Sequence, residues 1–277
     1  MTSTSTSRQG RPLALVTGAS AGIGLAFCRA LAQRGHDLAL VARRVDRLER
    51  AASDFRRTAG VEAIPIAADL SVADAHIPIL DALRSHGREV DVLVNNAGYS
   101  LPRTYIAQSW QQQRDFLMTL VVSVCGLTHA VLPGMIARES GRVILVGSIA
   151  GLSPGGAGHT LYPAAKMFLH RFALSLDAEL RSKGVRVTCV HPGPTESEFQ
   201  KANGMAEIMA RMPRSMVQTA DAVVRTTLSA NDRGKVIVVP GLHNKLAAAL
   251  MKYLPESLTA PLIRSAAEKY RMPDPGE

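Results

Sequence analysis

Short apolar runs alternate with segments of helical periodicity from residue 13 to residue 239. The strand candidates are residues 13–16, 38–42, 63–66, 92–94, 142–146, 185–190 and 236–239. Between them, apolar positions recurring at the helical period predict helices over residues 24–34, 46–58, 73–86, 111–138 and 164–183. Because strands that alternate with helices form parallel sheets with right-handed crossovers, we expect one α/β domain. Its sheet should be doubly wound, with seven parallel strands and helices on both faces.

Two segments depart from this alternation. Residues 194–216 are polar and proline-interrupted, and they follow a strand end, where an α/β fold builds its ligand lid. Residues 241–272 have a helical pattern, with leucines at positions 242, 246, 250 and 254. We therefore divide the chain into a disordered leader (1–11), a main domain that includes the lid (12–240), and a C-terminal helical extension (241–277). The apolar side chains of the lid are Phe199, Met205, Ile208, Met209 and Met212.

The leucine stripe of the extension allows two interpretations. A helix docked on the domain, or at a subunit interface, is favoured, because such stripes are usually buried against protein. Contact with a membrane surface is the less favoured alternative, and it rests on the basic residues beside the stripe. Those residues are Lys245, Lys252, Arg264 and Lys269.

Composition and charge narrow the class of protein. The 277 residues are 47% hydrophobic and carry a formal net charge of +9, but the basic residues are scattered and no nucleic-acid motif accompanies them. A phosphorylated cofactor, an acidic acyl carrier or surface solubility explains the charge better. Cys28, Cys125 and Cys189 lack metal-ligand spacing, so we expect reduced core thiols and no metal. With no secretory signal and no bilayer-spanning segment expected, the sequence predicts a cytoplasmic protein.

A glycine-rich turn directly follows the first strand. The segment reads Thr17-Gly-Ala-Ser-Ala-Gly-Ile-Gly24 and leads into a helix. Gly18 permits a tight exit from the strand, Gly22 lets a pyrophosphate approach the backbone, and Gly24 allows the helix to pack closely. The first N–H groups of the helix then face the phosphate. Strand, glycine turn and helix in this order predict a Rossmann-type dinucleotide site.

The end of the second strand selects the dinucleotide. A carboxylate there would bind the free ribose hydroxyl of NAD, whereas a guanidinium binds the 2′-phosphate of NADP. No acid follows the second strand, and Arg43 and Arg44 stand in its place. The alternative is that both arginines only begin a solvated helix face. The missing acid favours NADP(H).

Tyr162 and Lys166 lie four residues apart, which places them on one helix face. Pro163 is tolerated only in a first helical turn, so the helix should begin near Tyr162. With the glycine turn, these residues give the chain a resemblance to the short-chain dehydrogenase/reductase family, over about residues 13–239. Further segments match the family's pattern after successive strands: Asp69-Leu70, Asn95-Asn96-Ala97-Gly98, Ser148, and Pro192-Gly193-Pro194-Thr195.

The resemblance implies a cofactor site and a catalytic set. The residues it assigns to NADP(H) are Gly18, Ser20, Gly22, Ile23, Gly24, Arg43, Arg44, Asp69, Leu70, Asn96, Ala97, Gly98, Tyr162, Lys166, Pro192, Gly193 and Thr195. Tyr162 would give a proton to a carbonyl oxygen, and Ser148 would hydrogen-bond the same oxygen. The ammonium of Lys166 should lower the pKa of the Tyr162 phenol and hold the nicotinamide ribose.

Two features depart from the family pattern. The separation of Ser148 and Tyr162 is 162 − 148 = 14 residues, one more than is usual, and we place the extra residue in loop 154–158. Leu120 stands eight residues before Thr128, where many members have an asparagine that helps to hold a water, and that water relays protons to the lysine. Thr119 or Ser123 could substitute, the relay could be slower, or the protein could have lost activity. We expect an active reductase in which an asparagine at position 120 raises turnover or alters its pH dependence.

The leading functional hypothesis is NADPH-dependent reduction of an apolar ketone or ketoacyl group to an alcohol, with Tyr162 as the proton donor. The alternative is a non-catalytic NADP-binding sensor or scaffold, which Leu120 favours. Family members are often dimers or tetramers, so a homo-oligomer is expected, with no nucleic-acid partner.

Overall fold

The computed structural model describes residues 10–158, 160–196, 216–270, 272 and 274. Seven parallel strands form one sheet: β1 (Leu13–Thr17), β2 (Asp37–Ala42), β3 (Ala63–Ala67), β4 (Val90–Asn95), β5 (Gly141–Val146), β6 (Val185–Val190) and β9 (Ile237–Val238). Their order across the sheet is β3-β2-β1-β4-β5-β6-β9. The order reverses between β1 and β4, and ligands of open α/β sheets bind outside the carboxyl ends of the strands at such a point. The predicted fold class is confirmed.

Helices cover both faces of the sheet. They are α1 (Gly22–Gln33), α2 (Val45–Ala59), α3 (His76–Ser85), α4 (Trp110–Leu117), α5 (Ser123–Ala137), α6 (Leu161–Leu180), α7 (Ala220–Asp232), α8 (Leu242–Tyr253) and α9 (Glu256–Tyr270). Alternate residues of each strand point to opposite faces, so β1 places Ala14 and Val16 in the core with α1, α2 and α7. Leu13 and Leu15 belong to the other core, with α3, α5 and α6.

The predicted helix 111–138 is interrupted. A π-helical turn, Met118–Val122, separates α4 from α5. By length and composition the continuous helix Trp110–Ala137 is apolar enough to cross a membrane, which corrects the sequence-based expectation that no segment is. Within its most apolar 18-residue window, 44% is buried inside the fold, and α5 packs on β4 and β5. A core helix of this kind satisfies the same criterion as a membrane span.

Several elements were not predicted. Residues 220–232 form α7, and a small two-stranded parallel sheet joins β7 (Thr195–Glu196) to β8 (Gln218–Thr219). Most of the predicted lid, and with it the five apolar side chains assigned to the lid, lies outside the described residues, as do residues 1–9 of the predicted leader.

The amino ends of the strands are joined by charged groups. Arg88 Nη2 donates to Asp37 Oδ2 at 2.9 Å, and the backbone N–H of Glu62 donates to Asp37 Oδ1 at 2.8 Å. Beside them, Leu13 N donates to Asp91 Oδ2 at 2.7 Å. These bonds connect β1, β2 and β4 and the residue preceding β3 at the edge of the sheet opposite the glycine turn.

Hydrogen bonds join the C-terminal extension to the domain near both ends of the extension. Asn244 Nδ2 on α8 donates to Pro240 O at 2.9 Å and to Gln218 Oε1 at 3.1 Å. Beyond α9, Thr104 Oγ1 donates to Asp274 Oδ2 at 2.6 Å, in the loop that follows β4. The extension therefore runs along the carboxyl edge of the sheet.

Candidate active site

The glycine turn forms a tight cradle at the end of β1. Gly18 has a positive φ of 66°, and a Cβ on Gly24 would lie 2.2 Å from Gly18 O, so neither position accepts a side chain without a shift. Asn96 Nδ2 donates to Thr17 O at 2.8 Å, and Thr17 Oγ1 accepts from the N–H groups of Asn96 and Ala97. The segment after β4 thus fixes the turn.

The amino end of α1 opens on this cradle. Its N-cap residue, Ala21, makes no side-chain cap hydrogen bond. First-turn N–H groups without such a cap are suited to an anion, because they carry the positive end of the helix dipole. The close-packed glycines and the free helix start fit the pyrophosphate of a dinucleotide.

The two arginines after β2 are exposed at the same edge. Arg44 Nη2 lies 3.4 Å from Ser20 Oγ of the glycine turn. The carboxylate of Asp69 accepts from the N–H and hydroxyl groups of Ser71. Partial burial raises the pKa of Asp69, but the bonds from Ser71 and the charge of Arg43 outweigh it, and the net shift is downward. A guanidinium pair beside the glycine turn is the chemistry that a 2′-phosphate requires.

Ser148, Tyr162 and Lys166 meet beyond the end of β5. Ser148 is the second residue after this strand. Helix α6 begins at Leu161, so Pro163 lies in its first turn, as predicted. A side-chain hydrogen bond joins Tyr162 to Ser148. Lys166 Nζ donates to Val146 O at 2.8 Å and lies 5.6 Å from the centre of the Tyr162 ring.

The pKa values at this site differ from the sequence-based expectation. Burial raises the pKa of Tyr162 above 10, and the hydrogen bond from Ser148 offsets only part of that rise. Burial also lowers the pKa of Lys166 from 10.5 to about 8. The net shift of the phenol pKa is therefore upward, opposite to the lowering expected from Lys166, because desolvation of the phenol is the larger effect.

Leu120 is 1% exposed and lies in the π-helical turn. It packs in a small core with Phe116 and Ala165, and its Cγ is 3.5 Å from a Cβ placed on Gly98. The hydroxyl groups considered as substitutes are bonded to their own helix: Thr119 Oγ1 donates to Asp115 O, and Ser123 Oγ donates to Thr119 O, both at 2.8 Å. The environment of position 120 is apolar.

The sequence did not predict that two histidines, His170 and His191, lie in contact next to the backbone of Ser148. His191 Nδ1 lies 2.9 Å from Ser148 O, and because a carbonyl only accepts, Nδ1 carries the proton. His191 Nε2 then accepts from His170 Nδ1 at 2.9 Å. Burial lowers the pKa of His191 to about 4, so the ring is neutral at physiological pH. The two histidines are 21 residues apart on α6 and after β6, and no sequence spacing signals their contact.

The segment after β6 borders the same site. Ile149 N donates to Pro192 O at 3.0 Å, which ties this segment to the residue after Ser148. Thr195 Oγ1 donates to Gly193 O at 2.9 Å, and a Cβ on Gly193 would lie 2.3 Å from Asn244 Oδ1 of α8. Of the remaining predicted cofactor residues, Gly22 and Ile23 begin α1, and Leu70 and Gly98 lie in the segments that follow β3 and β4 at the same carboxyl edge.

Comparison with known proteins agrees with this geometry. The model of the short chain dehydrogenase family matches residues 12–208. A very-long-chain 3-oxoacyl-CoA reductase of Anas platyrhynchos is 38% identical over 194 residues, which cover 68% of this chain and 61% of that protein.

Solved structures show the same fold. A short-chain dehydrogenase from Sphingobium yanoikuyae in complex with NADPH is 29% identical, with a TM-score of 0.77, and the match covers 89% of this chain and 97% of that one. A bulky-bulky ketone specific alcohol dehydrogenase from Comamonas testosteroni is 29% identical, with a TM-score of 0.74, covering 90% and 97%.

Proposed function

The chain belongs to the short chain dehydrogenase family, and we propose that it is an NADPH-dependent reductase of apolar ketone or ketoacyl groups. The observation that carries the proposal is the meeting of Ser148, Tyr162 and Lys166 beside the glycine cradle. NADPH, when bound, supplies the hydride. The glycine turn, the start of α1 and the two arginines after β2 are the residues that would hold it.

The protein's own groups supply the proton and the polarisation. The raised pKa keeps Tyr162 protonated at neutral pH, as a proton donor must be. Ser148 shares a hydrogen bond with Tyr162, so a carbonyl oxygen between them would accept from both hydroxyls. The N–H of Ala150 donates to Ser148 Oγ at 3.2 Å, which helps to orient the serine.

The side chains around Tyr162 favour an apolar substrate. Tyr99, Leu101, Leu117, Val121 and Leu161 pack around the small core that contains Leu120, and Tyr162 borders the same cluster. A carbonyl compound that reaches Tyr162 would meet this apolar wall. The ketone specificity of the Comamonas testosteroni enzyme and the 3-oxoacyl specificity of the Anas platyrhynchos relative agree with this substrate class.

The test is NADPH oxidation across a panel of bulky ketones and 3-oxoacyl thioesters. We expect turnover, and we expect Tyr162→Phe to lower kcat at least about 1,000-fold while leaving the Kd for NADPH within a few-fold. Ser148→Ala should also lower kcat. Ser153→Ala is its matched control, because Ser153 Oγ donates to Ala150 O within its own turn.

The second candidate, a non-catalytic NADP-binding sensor or scaffold, is favoured by the apolar environment of Leu120. Cofactor binding followed by NADPH fluorescence separates the two. Tight NADPH binding with no turnover on any ketone, and no difference between wild type and Tyr162→Phe, would establish the second candidate and overturn the first.

A further inference from the structure

Helix α8 presents its apolar side to solvent. Asn244 is buried against Gly193, and Ala247, Ala248 and Met251 are partly buried on the same side of the helix. The opposite side carries the larger apolar groups: Leu242 is 83% exposed, Leu246 62%, Leu250 47% and Tyr253 75%. A helix docked by its apolar stripe would have the reverse arrangement. Of the two locations that the favoured sequence-based interpretation allowed, the domain surface does not cover the stripe of α8, and a subunit interface stays a prediction.

The exposed apolar surface continues past the end of α8. Leu254 is 42% exposed in the connection, and Leu258 is 60% exposed in the first turn of α9. We call Leu242, Leu246, Leu250, Tyr253, Leu254 and Leu258 the leucine face. Contiguous apolar surface of this kind on a soluble domain marks an interaction site.

The charge beside the leucine face identifies the kind of partner. Lys245 and Lys252 are exposed and lie along one flank of the stripe, about 60–80° around the helix from Leu242. The Lys252 ammonium lies 5.1 Å from the centre of the Tyr253 ring. Helix α8 contains no aspartate or glutamate, and the whole chain has a net charge of +9. Leucines, a tyrosine and flanking lysines on one side of a helix are the composition of an interfacial membrane helix.

We propose that the leucine face is a docking surface for the surface of a bilayer that contains anionic lipid. The leucines would enter the boundary between headgroups and acyl chains, and Lys245 and Lys252 would contact acidic headgroups. A second copy of the chain is a weaker match, because pairing two such helices brings lysine flanks of the same sign together.

Point substitutions test this better than truncation. Removal of the extension would also remove Asn244, which contacts the segment after β6, and Asp274, which binds the loop after β4. Leu246→Gln with Leu250→Gln replaces exposed side chains only, so the fold should be preserved. Thermal unfolding and NADPH binding check that it is.

The experiment is co-sedimentation of the full chain with phosphatidylcholine vesicles, with and without phosphatidylglycerol, at low and high salt. We expect wild type to bind vesicles containing phosphatidylglycerol at least about tenfold more strongly than phosphatidylcholine alone, and less strongly at high salt. The leucine double variant should lower binding at least about tenfold. Its matched control, Val72→Gln with Ile77→Gln, removes two exposed apolar side chains elsewhere and should leave binding unchanged.

A second set of variants tests the role of charge. It compares Lys245→Gln and Lys252→Gln with the controls Lys183→Gln and Lys235→Gln. The two control lysines lie before β6 and β9, at the opposite edge of the sheet. Only the first pair should weaken binding to anionic vesicles. The proposal is overturned if wild type does not sediment with either vesicle, or if the leucine double variant binds as wild type does. It is also overturned if that variant only converts an oligomer to monomers in sedimentation velocity. None of these measurements needs turnover, so their outcome is independent of the proposed reductase activity.

Discussion

Lys166 carries its ammonium group into a site where 5% of its surface reaches solvent. Its Nζ donates to the carbonyl of Val146, 2.8 Å away, and a neutral acceptor compensates only part of the lost hydration of a charge. The pKa near 8 expresses that deficit. At the scale of single residues, burying a charged group at this site therefore lowers the stability of the fold.

Lys166→Met should make the protein more stable at neutral pH. The pKa of Lys166 is below its unfolded value of 10.5, so the cost of burying the charge is fully present below pH 8 and disappears as pH rises from about 8 to 10.5. The excess stability of the variant over wild type, measured by denaturant unfolding, should fall over that window. A difference that stays constant across pH 7–10 would contradict the pKa assignment.

Arg43→Glu should reverse part of the cofactor preference. Replacing a guanidinium with a carboxylate removes charge-assisted bonds to a 2′-phosphate, so the Kd for NADPH should rise about 10- to 100-fold while that for NADH changes little. Fluorescence titration measures both. Arg57→Glu makes the same charge change in the last turn of α2 and serves as the control. Equal effects of the two variants would show that net charge, not position 43, determines the preference.

At the scale of elements, the π-helical turn between α4 and α5 determines which side chain lies near Lys166. The extra residue per turn directs Leu120 into the core with Phe116 and Ala165. A Cβ placed on Gly98 would lie 3.5 Å from Leu120 Cγ and 3.7 Å from Lys166 Nζ, so these two side chains flank the same glycine. An asparagine at position 120 would bring an amide to that place.

Leu120→Asn and Leu120→Ala form a matched pair. Both remove buried packing, and each should destabilise the fold by about 2–4 kcal/mol in denaturant unfolding. Only the asparagine can hydrogen-bond a water that passes protons toward Lys166, so only it should raise kcat or shift the pH profile of kcat. Indistinguishable kcat values for the two variants would show that no relay at position 120 limits turnover.

The helices and strands also show which parts of the fold can be predicted from the sequence alone. The central strands were predicted to within two residues, because their runs of valine and leucine are buried on both faces. Helix α7 was missed because Thr226, Thr227, Val223 and Val224 have weak helix propensity. It is held by the Thr219 cap and by packing on α1, where Arg29 pairs with Asp221.

The candidate site was predictable where a motif is continuous in sequence, as in the glycine turn and the Tyr162/Lys166 pair. The raised pKa of Tyr162, the enclosure of Leu120 and the contact of His170 with His191 were not. Each depends on which side chains from distant elements surround the group, and spacing along the chain does not encode that.

At the scale of the whole molecule, the two edges of the sheet have different roles. The carboxyl edge holds the glycine turn and the side chains of Ser148, Tyr162 and Lys166. The amino edge is joined by the mostly buried ion pair of Arg88 with Asp37 and by the bond from Leu13 to Asp91. Stability and chemistry are therefore separable by mutation.

Arg88→Ala leaves the Asp37 carboxylate buried without its cation, so the free energy of unfolding should fall by about 3–5 kcal/mol. The Kd for NADPH should not change, because the pair lies at the opposite edge from the glycine turn. Arg84→Ala breaks an exposed pair with Asp81 and should cost less than about 1 kcal/mol. Chemical denaturation and cofactor titration check both, and a large loss of NADPH affinity in Arg88→Ala would contradict the separation.

The bond between Thr104 and Asp274 also governs how the protein can be handled. An affinity tag joined after residue 277 would begin 278 − 274 = 4 residues from the group that holds the loop after β4. Residue 11 lies at the other edge, where its carbonyl accepts from Arg88 Nη2 at 2.8 Å. Purification tags and surface-immobilisation linkers are therefore better placed near residue 11, where they leave the carboxyl edge of the sheet accessible.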